Sequence, residues 1–110
     1  MTTISRDNNV FTVMVQLTVD PANQQELMEL SRSMIPVFER QPGFISLDLH
    51  RSLDGTQIVT YLQWRSKADH EACATSPEVA AAGNAFMRFL ESGKATMEVK
   101  TFEIVASAGH

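Results

Sequence analysis

The sequence predicts an α+β domain of the split βαβ, ferredoxin-like kind, with an antiparallel sheet covered by helices on one face. Three observations predict it. Residues 10–19 alternate apolar and polar side chains, as a strand with one buried face does. A second alternating stretch, from Gln41 to Ser66, folds back at Asp54-Gly55 and reads as a β-hairpin. Helix-spaced apolar residues separate the first strand from the hairpin, and the hairpin from a last strand over Ala95–Val105. The order is therefore β-α-β-β-α-β. It occupies residues 10–105, between a polar tail at 1–9 and a short tail at 106–110.

In the first strand Phe11, Val13, Val15, Leu17 and Val19 share one side, with Thr12, Met14, Gln16 and Thr18 on the other. Asp20-Pro21 supplies an N-cap followed by proline at the first helical position. Leu27, Leu30, Met34 and Phe38 then fall at helical spacing, which predicts an amphipathic helix over 21–39 with a kink at Pro36. Pro42-Gly43 breaks the chain before the hairpin.

A two-residue turn at Asp54-Gly55 pairs Leu53 with Thr56, and the register follows outward. Arg51 faces Ile58, Leu49 faces Thr60, Leu47 faces Leu62 and Ile45 faces Trp64. This face is apolar apart from Arg51 and Thr60. The other face sets Ser46, Asp48, His50 and Ser52 against Gln57, Val59, Tyr61 and Gln63.

Ser66-Lys67-Ala68-Asp69 matches a capping box and opens a short helix. Ser76-Pro77 starts another, with Val79, Phe86 and Leu90 on one face and Gly93 closing it. Its run from Ala80 to Ala85 has so little bulk that it can approach the sheet closely or leave space for a ligand. Lys100-Thr101 is a candidate bulge in the last strand.

At 110 residues the chain has room for one core. Its 44% hydrophobic and 20% charged residues are ordinary for a soluble globular domain. The net charge of -4 is spread without any Lys/Arg cluster, which argues against a nucleic-acid partner. A lone Cys73 permits no intrachain disulfide and no cysteine-rich metal site. The polar N-terminus lacks a secretory stretch and no segment reaches the length of a membrane span, so the expectation is a cytoplasmic protein. Helices on one side leave the second face of the sheet uncovered. Met14, Val59 and Tyr61 make that face only half polar, which predicts a homodimer with Asp48, His50, Tyr61 and Gln63 at its interface.

Local phrases add a resemblance. Gln41-Pro42-Gly43-Phe44, the Asp54-Gly55 turn, Tyr61-x-Gln63-Trp64 and the helix opening Ser66-Lys67-Ala68 resemble the antibiotic biosynthesis monooxygenase family, over roughly Val10 to Val105. The resemblance implies subunits paired into a dimeric α/β barrel. The family holds cofactor-free oxygenases of polyketide aromatics, quinol oxygenases and haem-degrading enzymes. Members that oxidise anthrones carry Asn and Trp four residues apart on the third strand and Tyr on the following helix. Thr60, Trp64 and His70 hold those positions here, so only Trp64 matches. A threonine hydroxyl can still bond a carbonyl or phenol oxygen, and histidine can take a proton near neutral pH. Haem-degrading members need an Asn, a Trp and an axial His where this chain has Val15, Cys73 and Gly83. Without an axial nitrogen, haem is not expected.

The expected function is cofactor-independent monooxygenation, by molecular oxygen, of a small electron-rich aromatic of the phenol, quinol or anthrone type. No phosphate loop or metal-ligand cluster is visible, so no cofactor is expected. His70 would accept a proton, Thr60 would hold a substrate oxygen and Trp64 would support the ring. Val13, Val15, Leu49, Leu62, Gly83, Phe86 and Leu90 would form the pocket. Each catalytic role has a structural alternative: a core filler for Trp64, a solvated helix residue for His70 and a β-branched strand former for Thr60. Arg51 reads as an edge-strand charge or a contact to an anionic substrate. Cys73 reads as a small buried hydrophobe rather than a nucleophile. Two other functions fit the same features. One is a non-catalytic small-molecule-binding or stress-related barrel protein. The other is an acid–base cyclase or isomerase on a polyketide-like substrate.

Overall fold

The alternating N-terminal segment becomes β1 (Phe11–Val19), the centre of a four-stranded antiparallel sheet. The computed structural model describes residues 10–109, so the tail expected at 1–9, and His110, lie outside the described residues. On one side β1 pairs with β3 (Gln57–Trp64), which pairs in turn with β2 (Phe44–Arg51). On its other side β1 pairs with β4 (Ala95–Glu103), giving the order β2-β3-β1-β4. This is the ferredoxin-like arrangement of the split βαβ unit.

The first helical segment is divided where one helix was expected. A 3-10 turn at Pro21–Asn23 leads into α1 (Gln24–Ser33), and α2 (Ile35–Glu39) follows after Met34. Pro36 has no N–H to return to the fourth residue back, so the ladder breaks there. Asp20 caps through its backbone alone: its carbonyl accepts from the Asn23 N–H at 2.8 Å, and its side chain makes no capping bond. The later helical region comprises α3 (Lys67–Ala74), α4 (Pro77–Ala82) and α5 (Asn84–Glu91), so the helix expected from Ser76 onward divides at Gly83. Ser66 and Ser76 cap α3 and α4 by accepting from the backbone N–H groups of Asp69 and Val79.

The hairpin keeps most of its expected register but differs at both ends. Arg51 faces Ile58, Leu49 faces Thr60 and Leu47 faces Leu62. At the open end Phe44, not Ile45, faces Trp64, because the register shifts between Phe44 and Ser46. Gly43 stands just before the shift. Its φ of 83° and the 2.8 Å bond from the Arg65 N–H to its carbonyl turn Phe44 toward Trp64. The two rings then meet edge to face at 5.8 Å, while Ile45 is left exposed.

At the closed end the loop has four residues, Leu53 to Thr56, rather than two. Ser52 N–H donates to Gln57 O at 2.9 Å and Gly55 N–H to Ser52 O at 3.2 Å, so Leu53 and Thr56 are not a ladder pair. Asp54 organises this wider loop. One of its carboxylate oxygens accepts from the Ser52 hydroxyl (2.7 Å), the Thr56 hydroxyl (2.7 Å) and the Thr56 N–H (3.0 Å). Those bonds, led by the one from Thr56, hold the Asp54 carboxyl at about 2. In β4 the pairing with β1 runs unbroken from Ala95 to Glu103, so Lys100-Thr101 forms no bulge.

The core has two parts on the helix-covered face. Leu17, Val19, Leu27, Met28, Ile58, Phe89 and Ala95 make one, between the sheet and α1 and α5. Val13, Leu62, Trp64 and Cys73 make the other. No helix among the described residues is long and apolar enough to cross a membrane.

Candidate active site

A cavity of about 190 Å³ opens between sheet and helices and touches both parts of the core. Its floor is Val15 and Leu17 of β1, Leu47 of β2, and Thr60 and Leu62 of β3, with Met97 of β4 at one side. Its roof comes from Ser31, Met34, Phe38 and Phe86. Met34 and Phe38, four residues apart, share one face and both reach this roof. Gly83 sits behind Met34: a Cβ there would meet Met34 Cε at an ordinary 3.6 Å but crowd the Val79 carbonyl at 3.3 Å. The lining is overwhelmingly apolar, as sites for small organic ligands usually are, with few polar groups to fix orientation.

Thr60 supplies one of those groups. It brings a hydroxyl to the helix-covered face, between Val15 and Leu49. Such a hydroxyl can donate to, or accept from, an oxygen of a bound ligand.

Beyond Leu62 stands a cluster of rings. Trp64 is fully buried, and its indole N–H has no acceptor among the described residues. His70 lies 6.0 Å from Trp64 and 5.5 Å from Phe11, between ring centroids. The capped start of α3 fixes this placement, because the Asp69 N–H donates to Ser66 Oγ at 3.1 Å and His70 follows directly. Partial burial lowers the His70 pKa from 6.5, against a smaller opposing pull from Glu71. The imidazole is therefore neutral at pH 7 and able to accept a proton. Burial pushes the Cys73 thiol up to about 11, so it stays protonated and unreactive.

Of the residues expected around the pocket, Val15, Thr60, Leu62 and Phe86 line the cavity. Trp64 and His70 are brought together with each other, outside that lining. Val13 packs with Trp64, Leu49 and Leu90 pack against the first part of the core, and Gly83 sits behind Met34. Leu17, Ser31, Met34, Phe38, Leu47 and Met97 line the cavity without having been singled out for it. Leu17 and Leu47 alternate with the named strand residues, and Met34 and Phe38 belong to the helical stripe, so their signal was present. Arg51 is exposed at the end of β2.

On the uncovered face Asp48 pairs with Tyr61, His50 with Val59, and Ser46 with Gln63. Gln63 reaches Thr12 Oγ1 at 3.5 Å, and Ser46 Oγ donates to Gln63 Oε1 at 3.3 Å. At the positions of the Asn, Trp and axial His expected for haem degradation, Val15 lines the cavity, Cys73 is a buried thiol and Gly83 is hemmed in by the Val79 carbonyl. Among the described residues no three His, Cys, Asp or Glu side chains converge as a metal site would need.

A family model described as antibiotic biosynthesis monooxygenase matches residues 10–85, from the start of β1 into α5. The chain belongs to the antibiotic biosynthesis monooxygenase family. A curated relative in this family, tetracenomycin-F1 monooxygenase of Streptomyces glaucescens, is 39% identical over 80 residues, covering 72% of this chain and 71% of its own. Monooxygenase is the activity class that these relationships support. SnoaB of Streptomyces nogalater, a cofactor-independent oxygenase, shares the fold at a TM-score of 0.71, with 20% identity over 93% of this chain and 99% of its own. Rv0793 of Mycobacterium tuberculosis gives a TM-score of 0.72 at 22% identity, over 91% of this chain and 99% of that one. The antibiotic biosynthesis monooxygenase match ends within α5, whereas these two likenesses extend over nearly the whole chain.

Proposed function

We propose that the protein is a cofactor-independent monooxygenase of a small electron-rich aromatic, which binds in the cavity beneath α1 and α2. The observation that carries this reading is the cavity itself: an apolar space with Thr60 on its floor, in a chain of this family. A phenol or its tautomer held there loses a proton, and the resulting anion gives one electron to dioxygen. The two radicals combine as a ring peroxide anion, which takes the proton back from the acceptor and, as the hydroperoxide, loses water to leave a carbonyl. One oxygen atom enters the product and the other leaves as water, so no external reductant is consumed.

The chain's contributions follow from its geometry. The apolar walls keep water from the radical pair and strengthen each polar contact. Thr60 Oγ1 donates to the oxygen on which negative charge develops. Both cavity hydroxyls are far too weak as bases to take the proton. His70, neutral and lodged against Trp64 beyond Leu62, outside the cavity lining, is the proposed acceptor. Trp64 packs against His70 and holds its ring in place.

Two copies pairing through the uncovered face of the sheet complete this reading, with Asp48, His50, Tyr61 and Gln63 in the contact and a cytoplasmic location. Its support is Tyr61, a large aromatic 37% exposed in the middle of the sheet. Reaction under isotopically labelled dioxygen tests the chemistry. One labelled atom per product molecule, and one in water, is the expected result. Label appearing only as hydrogen peroxide would identify an oxidase instead, and no label uptake with any phenol, quinol or anthrone would remove the enzyme reading.

A further inference from the structure

Ser31 lies within the buried stripe of α1, one turn after Leu27 and just before Met34. A serine hydroxyl inside a helix usually returns to a carbonyl three or four residues back. Ser33 does so on Leu30 O at 2.6 Å, and Ser92 on Phe89 O at 2.6 Å. Ser31 does not. Its Oγ is buried and has no hydrogen-bond partner among the described residues, and the residue lines the cavity. An unpaired buried hydroxyl weakens a fold, and alanine would suit this stripe better. Helix α1 therefore carries a buried hydroxyl without a partner in a residue that borders the cavity.

Thr60 presents the second hydroxyl to the same cavity from the sheet side. The space is also informative, because an engineered apolar cavity of about 150 Å³ takes up benzene. At about 190 Å³ this one is larger, with room for a ring bearing substituents.

We propose that Ser31 is a substrate-orienting residue whose hydroxyl binds one oxygen of an aromatic ligand while Thr60 binds another, so that the site selects small aromatics with two oxygen substituents. This rests on the monooxygenase reading for its purpose, but its test is independent of turnover. Naphthalenediol isomers and naphthol serve as probes, titrated under argon by calorimetry into the parent, Ser31→Ala and Thr60→Val.

In the parent the best diol binds up to about tenfold more tightly than naphthol, the effect of one neutral hydrogen bond. Ser31→Ala removes most of that preference and leaves naphthol unchanged, whereas Thr60→Val weakens both ligands. Ser31→Ala also raises the thermal midpoint of the free protein. A serine with a merely structural role would lower the midpoint and leave the diol preference intact. A preference that survives Ser31→Ala, or is missing from the parent, overturns the proposal even if oxygen is consumed normally. Should the preference vanish in Ser31→Ala while the parent consumes no oxygen with any probe, Ser31 stands as a binding residue and the monooxygenase reading falls.

Discussion

Trp64 and His70 touch one another yet answer to different physics. Trp64 is fully buried, so Trp64→Ala leaves a cavity and costs about 3–5 kcal/mol, measurable as a lower urea midpoint with activity lost through unfolding. Unchanged stability would mean that the indole is not part of the core. His70→Phe keeps the ring and removes the base, so the fold survives and turnover falls by about a hundredfold or more. The pH dependence has a definite sign. Because burial lowers the His70 pKa from 6.5, its stabilising neutral state is fully present above pH 6.5 and is lost as pH falls below that value. Both rate and stability of the parent should decline on acidification through this window, and His70→Phe should flatten both declines. A rate profile that His70→Phe leaves unaltered would assign the proton to water or to the substrate's own ionisation. Thr60 was legible in the sequence, because strict alternation from Trp64 puts it on the buried face. Ser31 was not. A single serine in an apolar stripe looks like tolerated polarity until the structure shows that its hydroxyl has no partner.

Glycine, proline and short polar side chains set where the elements begin and end, and there the sequence was hardest to read. Alternation gave the strands and the hairpin register from Arg51 to Leu62 correctly, since one slip would have exposed an entire apolar face. It could not show that Asp54 gathers Ser52 and Thr56 into a four-residue loop, because Asp-Gly serves short and long turns alike. Nor could it show the shift that seats Phe44 on Trp64, which depends on the backbone at Gly43. Two constraints meet at that glycine. Its φ of 83° disfavours any side chain, and a Cβ would overlap the Asp69 carboxylate beside the α3 cap. Gly43→Ala should therefore destabilise by about 1–3 kcal/mol, read from chemical denaturation, and push the turn at Gly43 away from Asp69 of α3. A neutral result would show that Asp69 swings aside freely and that the Phe44 register does not depend on this turn.

The sheet has one face covered by helices and another that is half polar and open, a contrast visible in the hairpin's two sets of side chains. Pairing through the open face predicts that Tyr61→Asp shifts sedimentation from dimer to monomer, by burying a charge in the contact without an assured partner. A parent that sediments as a stable monomer at micromolar concentration would remove that assembly. The cavity belongs to the covered face, and its apolar walls with two hydroxyls carry the functional account. That account is tested most directly by oxygen consumption of chelator-treated protein, free of haem and flavin, across a panel of phenols, quinols and anthrones. The expected result is uptake of one dioxygen per carbonyl formed, abolished when Val15→Phe fills the cavity in a protein that remains folded. Oxygen uptake that requires an added metal or flavin, or that persists with the cavity filled, would contradict it.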